Sequence, residues 1–88
     1  MNRVRKDPAA VVNYGHDWGP WLGNDVILTS TWTVPAGLTL ERESHTDTTT
    51  TVVVSGGVAN QYYTLVNRIV TSAGYTDERS ILVMCLER

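Results

Sequence analysis

The chain has 88 residues, a formal net charge of −2 and a single cysteine. A chain of this length forms one domain, and its acidic balance argues against general nucleic-acid binding, which needs a concentrated basic face. The single cysteine excludes an intrachain disulfide. The sequence also lacks a long apolar run that could cross a membrane and the apolar stretch of a signal peptide. We therefore expect a protein made and folded in the cytoplasm, with neither nucleic acid nor membrane as a partner.

The N-terminal segment carries the one basic cluster, formed by Arg3, Arg5 and Lys6. Such a cluster is typical of a solvated tail, although it also suits an arm that docks on an acidic partner. Pro8 cannot donate to a strand ladder and disfavours helical geometry at Asp7, so regular structure is expected to start after it. We predict a flexible segment over residues 1–6 and a single domain over residues 7–88.

Beyond Pro8 the chain consists of short apolar stretches separated by turn signals. Thr, Val and Ile, whose branched side chains suit a pleated sheet, make up 27 of the 88 residues. Apolar residues do not recur at helical spacing over any long window, so no helix is expected. Six or seven short strands at spacings of about 8–12 residues predict an all-β, antiparallel fold and are typical of a β-sandwich. In chain order, the predicted strand regions are 10–16, 25–34, 38–43, 49–54, 62–71 and 78–86.

Large aromatic side chains must fill much of the core, because the chain contains no Phe. Trp32 is expected to be the buried tryptophan against which both sheets pack. Ile27 is also bulky, but a regular strand would put it and Trp32 on opposite faces, so we expect either a bulge between them or a second partner for one of them. Tyr63 begins the longest strand, where a tyrosine corner would bind its hydroxyl to nearby backbone.

No group of side chains has the spacing of a catalytic, cofactor or metal site. His16 and His45 have no Cys or His neighbour at metal-ligand spacing, and each is expected to be solvated. Glu41 and Glu43 are predicted to share one strand face and to face water. Cys85 lies in an apolar run, which favours a buried and inert thiol. The sequence therefore predicts no enzyme, no cofactor and no metal ion.

Two segments are suited to contact with another molecule. The loop from Trp18 to Trp21 carries two tryptophans, which either form an interface hot spot or fold back to plug the open end of the sandwich. The last strand is apolar on both faces, and its alternate residues are exposed unless the N-terminal segment or another protein covers them. As an edge strand it could also add to a neighbour's sheet. The predicted partner-binding residues are Trp18, Trp21, Leu82, Met84 and Leu86.

Several stretches, taken as a set, resemble one family of small phage proteins. They include Lys6-Asp7-Pro8, Trp21-Leu22-Gly23-Asn24-Asp25, Trp32 to Leu38, Val52 to Gly57, Asn67-Arg68-Ile69 and Asp77 to Ile81. Over residues 6–84 the chain is similar to virion-associated proteins of tailed phages and prophages, such as fiber–tail adaptors and minor structural proteins. The chain departs from the usual pattern at Gly15-His16, where a strand residue and an apolar residue are typical.

The resemblance implies an immunoglobulin-like fold and a structural role in the particle, with tail, fiber or capsid proteins as partners and no catalytic residues. A different class of function is a surface-recognition module that binds carbohydrate or a host surface, with Trp18 and Trp21 as an exposed stacking platform. Solvent-exposed coplanar rings would favour that module, and rings packed into the core would count against it. Further alternatives are a capsid decoration protein and an assembly factor that is absent from the finished particle.

Overall fold

The structure, a computed structural model, describes residues 2–86 and is an all-β sandwich, as the sequence predicts. One sheet has the strand order β1-β7-β6-β3 and the other has the order β2-β5-β4. Residues 1, 87 and 88, which the predicted domain limits include, lie outside the described part of the chain. The elements are β1 (Asn2–Lys6), β2 (Val12–Asp17), α1 (Gly19–Leu22), β3 (Ile27–Thr33), β4 (Leu38–His45), β5 (Thr49–Gly56), β6 (Gln61–Thr71) and β7 (Thr76–Cys85).

The strand connectivity is that of an immunoglobulin-like domain. Such domains pack a sheet containing strands B, E and D against a sheet containing C, F and G, which here are β2, β5, β4 and β3, β6, β7. Every strand pair is antiparallel except that β1 joins β7 in parallel. The four-residue helix α1 lies in the predicted loop between β2 and β3 and differs from the expectation of no helix.

Strand β1 corrects the predicted domain limit at residue 7. Residues 2–6 pair with Ile81–Cys85 along the outer side of β7, so most of the expected flexible segment belongs to the sandwich. Inward-facing and outward-facing side chains alternate along this segment, as in a regular strand. Val4 packs against the core and Lys6 is buried, whereas Arg3 and Arg5 face outward. Since β7 lies between β1 and β6, it is not an edge strand, and the N-terminal segment flanks it, which was one of the alternatives left open.

The core is built from alternate residues of β5, β6 and β7. Trp32 packs with them and is buried, as predicted, and the thiol of Cys85 is buried in the same cluster. A register shift lies between Ile27 and Thr29, so the expected bulge allows Ile27 and Trp32 both to face inward. The other core positions are Leu38, Val52, Val54, Tyr63, Leu65, Ile81 and Val83.

Tyr63 forms the predicted tyrosine corner. Its hydroxyl accepts a hydrogen bond of 3.0 Å from the backbone N–H of Val58, which fixes the connection between β5 and β6. The ring lies so close to Gly37 that a Cβ there would sit 2.6 Å from it, and Gly37 also has a positive φ of 102°. Glycine is therefore required at this turn for both space and backbone conformation.

A bulge in β4 corrects the expectation that Glu41 and Glu43 share one face. The register with β5 shifts between Leu40 and Arg42, which places Glu43 opposite the core residue Val52. The Glu43 carboxylate then accepts the backbone N–H of Trp32 at 3.3 Å, across the gap between the sheets. The Glu41 carboxylate instead accepts the Ser55 hydroxyl at 2.6 Å, so the two acids have separate structural roles.

Candidate contact surfaces

Trp18 closes one end of the sandwich and does not lie on its surface. Its side chain is 0% exposed, and its indole N–H donates to the Asn67 side-chain oxygen at 3.0 Å. The Arg79 guanidinium covers the ring at 4.1 Å, in cation–π geometry. Helix α1 holds the arrangement, because the N–H groups of Trp21 and Leu22 both donate to the Trp18 carbonyl. The prediction of Trp18 as a partner-binding residue is therefore corrected: it is a core residue.

Asn67 lies beneath Trp18 at the centre of a hydrogen-bond network, and it was not among the predicted site residues. Its side-chain oxygen accepts both the Trp18 indole N–H and the Thr50 hydroxyl, the latter at 2.7 Å. Its amide nitrogen donates to the Ser30 hydroxyl at 3.0 Å and to the Thr31 carbonyl at 3.3 Å. Asn67 is fully buried on β6, so this network joins both sheets and the α1 loop through one side chain. An Asn facing inward on an otherwise apolar strand face was the available signal.

His16 is buried, which corrects the expectation of a solvated histidine. Its ring stacks on Trp32 with 5.6 Å between centroids and meets Trp18 edge-on at 6.1 Å. Burial lowers the pKa of His16, and the charge of Arg79 lowers it further. Gly15 lets β2 lie this close to β5, because a Cβ at residue 15 would collide with the Thr50 carbonyl oxygen. The Gly15-His16 departure from the family pattern thus places an aromatic ring where an apolar side chain is typical.

Trp21 remains exposed and lines a cleft at the same end of the molecule. It is 42% exposed, and Tyr75 in the β6–β7 connection is 65% exposed beside it. Asp25 bonds the Ser72 hydroxyl and the Ala73 N–H, which ties the β6–β7 turn to the segment before β3. These bonds, led by that from Ser72, lower the pKa of Asp25 to about 2. We call this surface the aromatic cleft; its lining is Trp21, Leu22, Asp25, Ala73 and Tyr75.

Leu82 and Met84 lie on the outer face of the four-stranded sheet. They are half-buried, because Arg3 and Arg5 of β1 flank them on one side and β6 flanks them on the other. Tyr62 of β6 stands opposite Met84 and is 65% exposed. We call this surface the β7 face: Arg3, Arg5, Tyr62, Leu82 and Met84. The predicted contact residue Leu86 follows β7 and is half-buried, with its N–H bonded to the Lys6 carbonyl.

Lys6 is separate from the other two basic residues of its segment. It is only 2% exposed, and its ammonium donates to the carbonyl oxygens of Gly56 at 2.6 Å and Asp7 at 2.9 Å. Its charge therefore stabilises the end of the sandwich. Arg3 and Arg5 are exposed and are the cations of this segment that a partner could contact.

The two tryptophans of the loop do not form a flat platform. Their rings meet at an interplanar angle of 72°, with one ring buried. This arrangement counts against carbohydrate stacking on Trp18 and Trp21. Among residues 2–86, no three His, Cys, Asp or Glu side chains cluster as a metal site would require, and no helix of this part is long and apolar enough to cross a membrane.

The sequence matches a family model described as Podophage GP4 fiber-tail adaptor protein gp77, over residues 6–84. The chain belongs to this family. The fiber-tail adaptor family is a family of phage structural proteins, so the resemblance found in the sequence is confirmed. The match runs from the last residue of β1 to the penultimate residue of β7 and includes Leu82 and Met84. Comparison with curated proteins gave no match.

Proposed function

We propose that the protein is a non-enzymatic structural adaptor of a phage particle, which joins fiber to tail by protein–protein contact. The observation that carries this proposal is the fiber-tail adaptor family match over residues 6–84. The described residues fit a contact role, because their exposed aromatic and apolar side chains form surfaces and not an enclosed catalytic pocket. Partners of this adaptor are then other virion proteins.

The shape of the domain supports a bridging role. The molecule is 42 Å long and 21 Å by 17 Å across, and β6 is its longest strand. At one end of β6, Tyr62 stands opposite Met84 of the β7 face; at the other end, Thr71 pairs with Ile27, close to the aromatic cleft. The eleven residues of β6 span about 33 Å at the rise of a strand. Two separated surfaces suit a protein that must bind two partners.

Weak individual contacts suffice in such an assembly. Fibers and tails are symmetric, so several adaptor copies act together, and their combined binding exceeds that of one contact. This explains how a small domain with half-buried contact residues could hold a fiber in place.

The proposal is tested by locating the protein in purified particles. Mass spectrometry of gradient-purified particles should detect it, and particles from which its gene is deleted should retain heads and tails but lose fibers in electron micrographs. If the protein is expressed during infection but is absent from particles, it is an assembly factor instead. If disrupted particles release it with heads and not with tails, it is a decoration protein. Either result would overturn the adaptor role.

A further inference from the structure

We infer that the β7 face docks onto an acidic protein surface with an apolar centre, belonging to another virion protein. This inference rests on the proposed adaptor function and specifies the chemistry of one of its two partners. The surface combines two exposed guanidinium groups with a short apolar strip, and both features need a matching partner.

The parallel pairing of β1 with β7 creates this surface. Arg3 stands beside Leu82 and Arg5 stands beside Met84, so each arginine borders an apolar side chain on the same outer face. On the other side of the strip, Tyr62 pairs with Met84. The result is an apolar centre with a cationic border along one edge. Arg, Tyr and Met, which this face combines, are enriched at protein interfaces.

The positive charge of this border is not balanced within the described structure. Between residues 2 and 86, the one ion pair joins Arg68 to Glu78, further along the sheet. The segments that form the face, residues 2–5, 61–66 and 80–84, contain no Asp or Glu. The chain as a whole has a net charge of −2, so this cationic border stands out against an acidic molecule. Complementarity of charge therefore calls for carboxylates on the partner.

The same features argue against two other occupants. In a twofold contact a second copy of this chain would present this same face, whose segments contain no Asp or Glu, so it could not supply carboxylates to the arginines. Nucleic acid would meet two arginines next to an apolar strip, whereas binding to a phosphate backbone needs many cations. An acidic protein surface satisfies both the arginines and the strip.

Zero-length cross-linking tests the predicted carboxylates directly. Lys6 is the only lysine and is buried, so the variant Arg5→Lys adds a single exposed lysine to the β7 face. The chain is first loaded onto particles purified from a phage lacking its gene, and a carbodiimide then joins the new amine to any carboxylate in contact. We expect a cross-linked peptide from position 5 to an Asp or Glu of a tail protein. The control variant Arg42→Lys, exposed on the opposite sheet, should give no such product.

Matched substitutions test the face by binding to the same adaptor-deficient particles. Arg5→Glu should weaken loading about tenfold or more, with the loss reduced at high salt, whereas Arg42→Glu makes the same charge change and should alter loading less than about twofold. Leu82→Thr should also weaken loading, whereas Leu28→Thr, at a leucine that is 57% exposed on β3, should not.

The outcomes separate the inference from the function on which it rests. If the unaltered chain fails to load, the adaptor function and this inference both fail. The β7-face inference fails, while the adaptor function stands, if the unaltered chain loads but each β7-face variant loads as well as its matched control. The same holds if position 5 cross-links to a second copy of the chain. Loading that requires Arg5 but is competed by phage DNA would identify nucleic acid as the occupant and would likewise overturn the inference.

Discussion

Asn67 stabilises the centre of this domain through hydrogen bonds and not through apolar burial. A buried amide is costly unless its polar atoms are paired, and here both the oxygen and the nitrogen have two partners. The partners come from both sheets and from the indole of Trp18, so the network also fixes how the sheets and the α1 loop are oriented. A polar hub of this kind contributes specificity as well as stability.

Replacing Asn67 should therefore destabilise the fold strongly. We expect Asn67→Ala to lower the free energy of unfolding by about 2–4 kcal/mol, because it leaves the Trp18 indole and Thr50 hydroxyl unpaired beside a cavity. The measurement is urea denaturation followed by tryptophan fluorescence. Asn13→Ala, at an exposed position of β2, is the control and should change stability by less than about 0.5 kcal/mol. Equal effects of the two substitutions would contradict the role of the network.

His16 makes the stability of the protein depend on pH near neutrality. Its pKa in the folded state lies below its ordinary value of 6.5, owing first to burial and then to Arg79. Between the two pKa values the unfolded chain binds a proton that the folded chain does not, so acid favours unfolding. Stability should fall as the pH drops through 6.5 and should level off below the folded-state pKa.

The test compares urea midpoints at about pH 7.5 and about pH 5.5. The unaltered protein should be less stable at the lower pH, and His16→Phe should remove most of that difference because phenylalanine keeps a ring against Trp32 without titrating. His45→Phe, at an exposed position of β4, should leave the difference unchanged. A pH dependence that persists in His16→Phe would show that another group is responsible.

At the scale of elements, the connection between β5 and β6 depends on Tyr63. The connection, residues 57–60, contains Gly57 and Asn60, whose positive φ values depart from strand geometry. The hydroxyl of Tyr63 supplies a bond to the backbone of Val58 in the middle of this segment. The strand and the turn before it are thereby held in one arrangement.

Removal of that hydroxyl gives a prediction with a neighbouring control. Tyr63→Phe keeps the ring in the core but leaves the Val58 N–H without its partner, and should lower the free energy of unfolding by about 1–2 kcal/mol. Tyr62→Phe changes the adjacent residue, which is exposed, and should have almost no effect. Chemical denaturation measures the free energy of unfolding of the two variants. Equal stability would mean that the hydrogen bond between Tyr63 and Val58 contributes nothing.

At the scale of the whole molecule, the two proposed contact surfaces lie near opposite ends of strand β6. The aromatic cleft belongs to α1 and the β6–β7 connection, whereas the β7 face belongs to β1, β7 and the start of β6. Because separate elements build them, a substitution in one surface leaves the other intact. A bridging adaptor should therefore lose its two partners independently.

Substitution of the aromatic cleft should disconnect one partner alone. We expect Trp21→Ser to abolish attachment of fibers while the variant protein still loads onto adaptor-deficient tails, with Leu82→Thr showing the opposite defect. Gradient sedimentation with electron microscopy measures both attachments. Trp21 is partly exposed at the surface, so a folded variant is expected and circular dichroism checks it. Loss of both attachments in each variant would contradict two independent surfaces.

Local patterns in the sequence were enough to predict the all-β class, most strand positions and the burial of Cys85. The sandwich, and with it the positions of Trp32 and Tyr63, also rested on the family resemblance. Alternation, branched side chains and turn residues act over a few neighbouring positions, so their effects can be found along the chain. Leu82 and Met84 were also recognised as outward-facing, because the core can use only every second residue of β7. That they and Trp21 bind partners stays a prediction.

Tertiary structure alone decided which distant residues meet. Trp18 is buried because Asn67, 49 residues further on, supplies a partner for its indole. His16 lies against Trp32 because the two sheets pack face to face. Arg3 and Arg5 border the apolar strip because the first strand pairs with the last. The favourable energy of such pairings arises only once the chain has folded, so it leaves no local pattern in the sequence. For this reason residues 2–6, whose composition is typical of a solvated tail, form a strand of the sheet and one border of the proposed docking surface.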